Sequence, residues 1–230
     1  MKQNTYRLDN YVEKLIKGEN TFFLDAKELK EIKSKLKKVK YQIYAPYKDS
    51  EKVILYVDKI PDITLFKIKS HKKLKHQEIL GSILGLNILP NYLGDIIIDN
   101  DNYYFYIMSD LKNFIKENLT LIGKTKISLK KIDLKDLEKY ERKYEEYNIV
   151  VSSLRIDTVI SKIIKTNRNN VISKIKNNDI ILNYEILNKG TYILKENDIF
   201  SIRRCGKYKY IGIIKDTKKG NIIIKYLKYI

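Results

Sequence analysis

The sequence predicts an α+β protein, and three observations carry that prediction. Some stretches place apolar residues at helical spacing, as Leu29, Ile32, Leu36 and Val39 do. Others, such as "ITLFKIK" and "YYFYIM", have the composition and length of strands. Hydrophobic residues make up 43% of the 230, enough to bury real cores rather than leave the chain disordered.

A chain of this length suits one large domain or two to three small ones. Residues 1 to 61 read as an N-terminal α/β domain of two helices followed by strands. In "DAKELKEIKSKLKKV", Asp25 is placed to cap the second helix. "YQIYAPY" and "KVILYVD" are strand-like and separated by a polar turn.

Residues 62 to 134 show a definite order. "ITLFKIK" is a strand, and "KHQEILGSILGLN" is a helix ended by Gly85 and Asn87 before Pro90. "GDIIID" and "YYFYIM" are strands joined by Asn100-Asp101-Asn102. "DLKNFIKENL" is a helix with Ser109 or Asp110 as its cap, and "KTKISLKKI" is a last strand. That β-α-β-β-α-β order is the split βαβ of ferredoxin-like folds and of RNA-recognition (RRM-like) modules. Strand alternation puts Tyr103 and Phe105 on one face, and Tyr104 and Tyr106 on the other. One face must pack on the helices, and the other has the rings to stack bases, but the RNP1 pattern of RNA-recognition motifs is absent and aromatic residues are also good strand formers in their own right. Gly81 and Gly85 fall in the first of these helices, where close packing accounts for them better than a cofactor loop does.

"DLKDLEKYERKYEEYN" is charged and mostly polar, which suggests a helical linker over residues 135 to 149. Composition then changes. Ile156, Val159, Ile160, Ile163 and Ile164 form one apolar helix stripe. Its other side carries Thr158, Lys162 and Lys165, with Arg155 just before. Thr166-Asn167 offers a cap for a second helix, whose apolar residues are Val171, Ile172 and Ile175. Asn170, Ser173, Lys174 and Asn177 occupy its free side. A turn at Asn177-Asn178, three strands and a terminal hairpin turning at Lys218-Lys219-Gly220 complete a domain over residues 150 to 230.

Charge narrows the function. Lys and Arg number 46 against 28 Asp and Glu, a net charge of +18, which attracts polyanions. Lysine is abundant throughout, so placement matters more than number. Of six arginines, Arg155, Arg168, Arg203 and Arg204 lie in the last third. Guanidinium matches phosphate geometry and stacks on bases in ways ammonium does not. A single cysteine, Cys205, excludes an internal disulfide. Neither a secretory signal nor a membrane-spanning apolar run is visible, so a soluble cytoplasmic protein is expected.

The segments "SLRID", "TNR", "VISKIKNNDIILN" and "ENDIFSIRRCGKY" resemble the S4 domain, a small RNA-binding domain with two helices in an αL motif. Its pattern falls on Arg155, Asp157, Arg168, Asn183 and Asp198. "HQEILGSILGLNILPNYLGDIIID" with "NLTLIGKTKISL" is similar to the middle domain of YlmH-type bacterial RNA-binding proteins, and "FFLDAKE" to the opening of their first domain. Departures include His76-Gln77-Glu78 where that family has His-Arg-Asp/Glu. Asn178 and Arg204 stand where it has glycine.

The resemblance implies a non-catalytic protein that binds structured RNA, rRNA or tRNA, on the two-helix face. It further implies a monomer acting on the large ribosomal subunit, in quality control of stalled peptidyl-tRNA complexes. Recognition of A-form RNA relies on phosphates, 2′-hydroxyls and shape. Lys and Arg serve the first, and Asn or Ser the second. The candidate RNA-binding residues are therefore Arg155, Thr158, Lys162, Lys165, Arg168, Asn170 and Lys174, with Arg203, Arg204 and Lys207 on the rim. For Arg155, pairing with Asp157 or Asp198 is an equally good reading.

Three rivals stand against this. An enzyme needs its own catalytic domain, and no cofactor or metal is called for: His71, His76 and Cys205 lack metal-ligand spacing. A DNA-binding helix-turn-helix shares the two short helices, but strands follow the second helix at once. A membrane-peripheral or cell-division scaffold would use the same basic surface, yet no basic amphipathic helix carries aromatic anchors and Trp is absent, so no membrane partner is expected.

Overall fold

The computed structural model describes residues 2–36, 39–138 and 140–230. It is mixed α+β and divides into two compact units, with the division between Glu141 and Arg142.

The first unit opens with α1 (Lys2–Ile16) and α2 (Ala26–Lys35), then β1 (Gln42–Tyr44) and β2 (Ile54–Tyr56), an antiparallel pair. Asp25 starts α2 as expected: its carboxylate accepts from the Glu28 backbone N–H at 2.8 Å, and Glu28 accepts from the Asp25 backbone N–H at 3.2 Å. The helix closes at Leu36 rather than running on to Val39, although both side chains still pack on the core of Leu8, Leu15, Ile32 and Leu55. Lys37 and Lys38, within the expected helix, lie outside the described residues.

Next come β3 (Ile63–Ser70), α3 (His76–Leu84), β4 (Leu93–Asp99), β5 (Asn102–Met108), α4 (Lys112–Asn118), β6 (Leu121–Ile122), β7 (Thr125–Ile132) and α5 (Lys135–Glu138). The sheet runs β4-β5-β3-β7-β6 with every pair antiparallel. Helices α3 and α4 cover one face, where Ile79, Ile83 and Ile115 meet Phe66, Tyr103 and Phe105.

The opposite face, the one whose rings could have stacked bases, is not open along its length. Tyr106 is fully buried there among Phe23, Tyr47 and Ile54 from the preceding segment. Its hydroxyl lies 2.7 Å from Ser50 Oγ, and Tyr47 donates to buried Asp95 at 2.8 Å. A polar seam thus seals the layer, because buried hydroxyls need partners. Only Tyr104 of that aromatic pair stays partly exposed.

Two local expectations also change. Neither Ser109 nor Asp110 caps α4; a 3-10 turn, Ser109–Leu111, precedes it, and Ser109 Oγ donates instead to Asp62 at 2.8 Å. Gly81 has open space where a Cβ would stand, so close packing does not explain it, whereas Gly85 ends the helix against the Gly81 carbonyl.

The second unit contains β8 (Tyr144–Val151), α6 (Ile156–Ile163), α7 (Arg168–Lys176), β9 (Ile180–Leu182), β10 (Glu185–Ile186), β11 (Ile199–Ile202), β12 (Gly206–Asp216) and β13 (Ile222–Tyr229). Its sheet order is β10-β9-β11-β12-β13-β8. Among the described residues, the expected helical linker is therefore helical only in α5. Tyr144–Val151 pairs with the terminal hairpin instead, from Tyr144↔Tyr229 to Val151↔Ile222. Tyr147, Ile149 and Val151 supply the strand alternation that the glutamates obscure. Those charges are met across the ladder, Glu146 by Lys225 at 2.7 Å and Glu145 by Lys228 at 3.4 Å.

Helices α6 and α7 cover one sheet face, with Ile156, Val159, Ile160, Val171 and Ile175 against Ile180, Phe200, Tyr208 and Ile224. Ile172, expected in this core, is exposed; Val171 and Ile175, four residues apart, already fill the buried side of α7.

Candidate nucleic-acid interface

The two short helices are held by distant hydrogen-bond partners at the start of α6 and by local caps at the turn between them. At the start of α6, Ile156 and Asp157 N–H groups donate to the Tyr192 and Gly190 carbonyls at 2.8 and 3.2 Å. At its end Lys165 takes a left-handed conformation, φ 50°, and Thr166 N–H donates back to the Ser161 carbonyl at 2.9 Å. Asn167 then caps α7, accepting from Asn170 N–H at 2.8 Å. Asn178, at φ 58°, makes the left-handed turn after α7, a role asparagine takes more readily than most residues.

Asp157 organises the basic residues. It is 1% exposed. Arg155 donates to it from Nε and Nη2 at 3.2 and 2.9 Å, and Arg168 from Nη2 at 2.9 Å. Burial alone would raise the carboxyl, but the two guanidinium hydrogen bonds and their charges outweigh it and hold it at about 2. Both arginines stay partly exposed, with side-chain accessibilities of 37% and 50%. Each guanidinium has five N–H donors, so donors remain after Asp157 is satisfied. The Arg155–Asp157 pair was legible in the sequence. That Arg168 shares the same carboxylate was not, because it depends on how α7 folds back on α6. Asp198 serves a separate turn, accepting from Asn183 at 2.7 Å and from Lys195 N–H at 2.8 Å.

The other candidates separate into three groups. Lys162, Lys165, Arg168 and Asn170 are exposed around the α6–α7 turn, and Lys174 is half-buried further along α7. Asn170 Nδ2 donates to Thr166 Oγ1 at 2.9 Å, which fixes that turn. Arg203 and Arg204 lie in the β11–β12 turn. Arg203 N–H donates to the Asp179 carbonyl at 2.8 Å and its Nη1 reaches the Asp179 carboxylate at 3.3 Å. Since Asp179 N–H donates to the Lys174 carbonyl, this turn adjoins the end of α7.

Two candidates are elsewhere. Thr158 is buried, its hydroxyl donating to Asp157 at 3.3 Å, so it supports the carboxylate rather than facing a ligand. Lys207 is paired with Ser201 in the ladder, out of phase with the core-facing Phe200, Ile202 and Tyr208, which puts it on the sheet face away from the helices. Its ammonium sits 5.2 and 4.9 Å from the Tyr184 and Tyr229 ring centroids.

Among the described residues no group of His, Cys, Asp or Glu is arranged to hold a metal ion, and no helix is long and apolar enough to cross a membrane.

Known proteins resemble this chain in the following ways. Residues 61–136 match the family described as "Putative RNA-binding domain in YlmH". A curated Bacillus subtilis (strain 168) protein, "Ribosome-associated protein quality control protein P2", is 31% identical over 144 residues, which is 63% of this chain. That match spans 56% of the relative's own length. A solved structure titled "Cell division protein ylmH from Streptococcus pneumoniae" superposes with a TM-score of 0.48 at 20% identity, over 60% of this chain and 94% of that one. The family match and the Bacillus relative show a resemblance to YlmH-type proteins that includes the middle of the chain; neither by itself identifies the C-terminal unit.

Proposed function

We propose that this YlmH-like chain is a non-catalytic, monomeric, cytoplasmic protein that binds structured RNA, rRNA or tRNA, on the large ribosomal subunit. Its role there is in ribosome-associated quality control of stalled peptidyl-tRNA complexes. In this reading residues 62–134 are a ferredoxin-like, RRM-like domain behind an N-terminal domain of residues 1–61, and residues 150–230 are an S4 domain.

One observation carries the reading: Asp157 gathers Arg155 and Arg168 at the junction of two short helices. Lys162 and Lys165 stand exposed nearby in sequence, at the turn. A carboxylate that fixes two forks without covering them presents pre-oriented donors for phosphate oxygens, and bidentate guanidinium contacts are among the stronger polar ones. The ribosome-associated name of the Bacillus relative and the RNA-binding description of the matched family support the partner class.

The test is co-sedimentation with separated ribosomal subunits across a salt series. The informative variant is Lys162→Glu/Lys165→Glu, because both side chains are exposed and neither forms an ion pair among the described residues, so the fold is expected to tolerate the change. Large-subunit binding that falls roughly 10³-fold between 50 and 200 mM salt, and disappears in the variant, supports the reading. Binding unchanged in the variant overturns the two-helix face. Equal retention on duplex DNA favours a helix-turn-helix reading instead.

A further inference from the structure

The sheet of the second unit has a face turned away from α6 and α7. Strand alternation puts Ile181, Ile199, Lys207, Lys209 and Leu227 there, out of phase with the core-facing Phe200, Ile202, Tyr208 and Tyr226. Ile186 of β10 joins them as the ladder partner of Ile181. Lys209 pairs with Ile199 on one side and Leu227 on the other. Lys207 pairs with Ser201, which pairs in turn with Ile181. Two lysines are thus set in an apolar floor, of which Ile181 and Ile186 are 41% and 50% exposed.

Tyr184 supplies an independent observation. It follows Asn183 in the two-residue turn between β9 and β10, and the two have positive φ angles of 68° and 48°. Such a turn ordinarily takes Asn-Gly, because a side chain is crowded in left-handed backbone. Here a bulky ring occupies the glycine position, and its centroid lies 5.2 Å from the Lys207 ammonium. Strain kept at one residue points to a use for its side chain beyond the fold.

The chemistry of the face selects its occupant. Covering Ile181, Ile186 and Leu227 removes apolar surface from water, which favours docking. It also takes Lys207 and Lys209 out of water, which is unfavourable unless carboxylates meet them. Lys209 forms no ion pair among the described residues. RNA fits poorly, since two lysines among aliphatic side chains match few of its closely spaced phosphates. A second copy of the same face fits no better. The Lys209 row ends at Glu146, which Lys225 already holds at 2.7 Å, so lysine would meet lysine.

We propose that this face docks a protein segment that is apolar and carries two carboxylates on one side. The carboxylates meet Lys207 and Lys209, and Tyr184 is the aromatic anchor of the contact. Positions 207 and 209 are about 7 Å apart along the strand. Acidic residues four apart on a helix span about 6 Å, which matches. The proposal goes beyond RNA binding and does not depend on it: the helix side and the far side of one sheet take different partners.

The experiment puts the photo-crosslinker benzoylphenylalanine in place of Ile186 in the full chain and irradiates cells that make it. Mass spectrometry maps the crosslinked segment, which is then synthesised and titrated against the full chain by calorimetry. The expected product is a protein segment with acidic residues three or four apart among apolar ones. Lys207→Glu/Lys209→Glu should weaken its binding about tenfold or more, and Lys162→Glu/Lys165→Glu should leave it unchanged. Tyr184→Gly separates docking from folding. Its melting temperature should rise by about 4 °C as the left-handed strain is released, while affinity for the segment falls about tenfold. A crosslink to RNA or to a second copy overturns the proposal, as does the absence of any crosslinked product. So does a segment whose affinity is unchanged by Lys207→Glu/Lys209→Glu or by Tyr184→Gly.

Discussion

Arg168, in the first turn of α7, donates to Asp157 of α6 at 2.9 Å across 11 residues of chain. The contact ties the two helices together through a carboxylate that Arg155 already occupies. Replacing Asp157 by Asn removes the charge but keeps the shape. Hydrogen bonds to charged groups contribute about 1.5–3 kcal/mol, so a loss of about 2 kcal/mol is expected in urea unfolding. The same variant should bind RNA less tightly, because its arginines lose their fixed orientation.

Acid unfolding should report the same group. Asp157 is held at about 2 against an ordinary value of 3.8. A depressed carboxyl contributes stability that is fully present above the ordinary value and lost as pH falls through the folded one. The contribution should therefore disappear between about pH 4 and pH 2, and it amounts to about 1–2 kcal/mol once exposure of the arginines is discounted. In a pH series, the stability gap between wild type and Asp157→Asn should close across that window. A gap that persists at pH 2 would remove Asp157 as its source.

Lys165 occupies a left-handed position, where a Cβ is crowded by its own backbone. Lys165→Gly should stabilise the second unit by about 1 kcal/mol, since a left-handed conformation costs L-residues roughly 1–2 kcal/mol. RNA affinity should fall at the same time. Stability and binding moving in opposite directions is the signature to measure.

Gly94 lies under the Tyr106 ring, and a Cβ built there would come within 1.8 Å of the ring carbon Cε2. The ring is fully buried and its hydroxyl is engaged with Ser50, so it cannot move aside cheaply. Gly94→Ala should cost about 3 kcal/mol, the upper range for overpacking. Combining it with Tyr106→Ala should cost less than the two separate losses added together, because both act on one contact. Additive losses in a double-mutant cycle would refute the ring clash.

The individual elements were largely legible because their signals are local. Asp25 and Asn167 announce helix starts by side-chain capping, and the Ile156–Ile164 stripe states which side of α6 must be buried. Asn178 could be read as a left-handed turn because few other residues tolerate one. Where the sequence misled, the deciding partner was distant. Tyr144–Ile149 looked like a linker because its glutamates suit solvent, and it is a strand because β13 offers it an antiparallel ladder, with Lys225 and Lys228 meeting its charges.

For the candidate site the division is similar. Residue type and spacing alone selected Arg155, Lys162, Lys165, Arg168 and Lys174 as a basic set beside an apolar stripe. Only the tertiary structure withdrew Thr158 into the interior, turned Lys207 to the other sheet face, and closed Tyr106 under Phe23 and Tyr47 while leaving Tyr104 partly open. Helical and strand periodicities fix which residues share a face. What covers that face depends on segments tens of residues away, and no local pattern encodes their arrival.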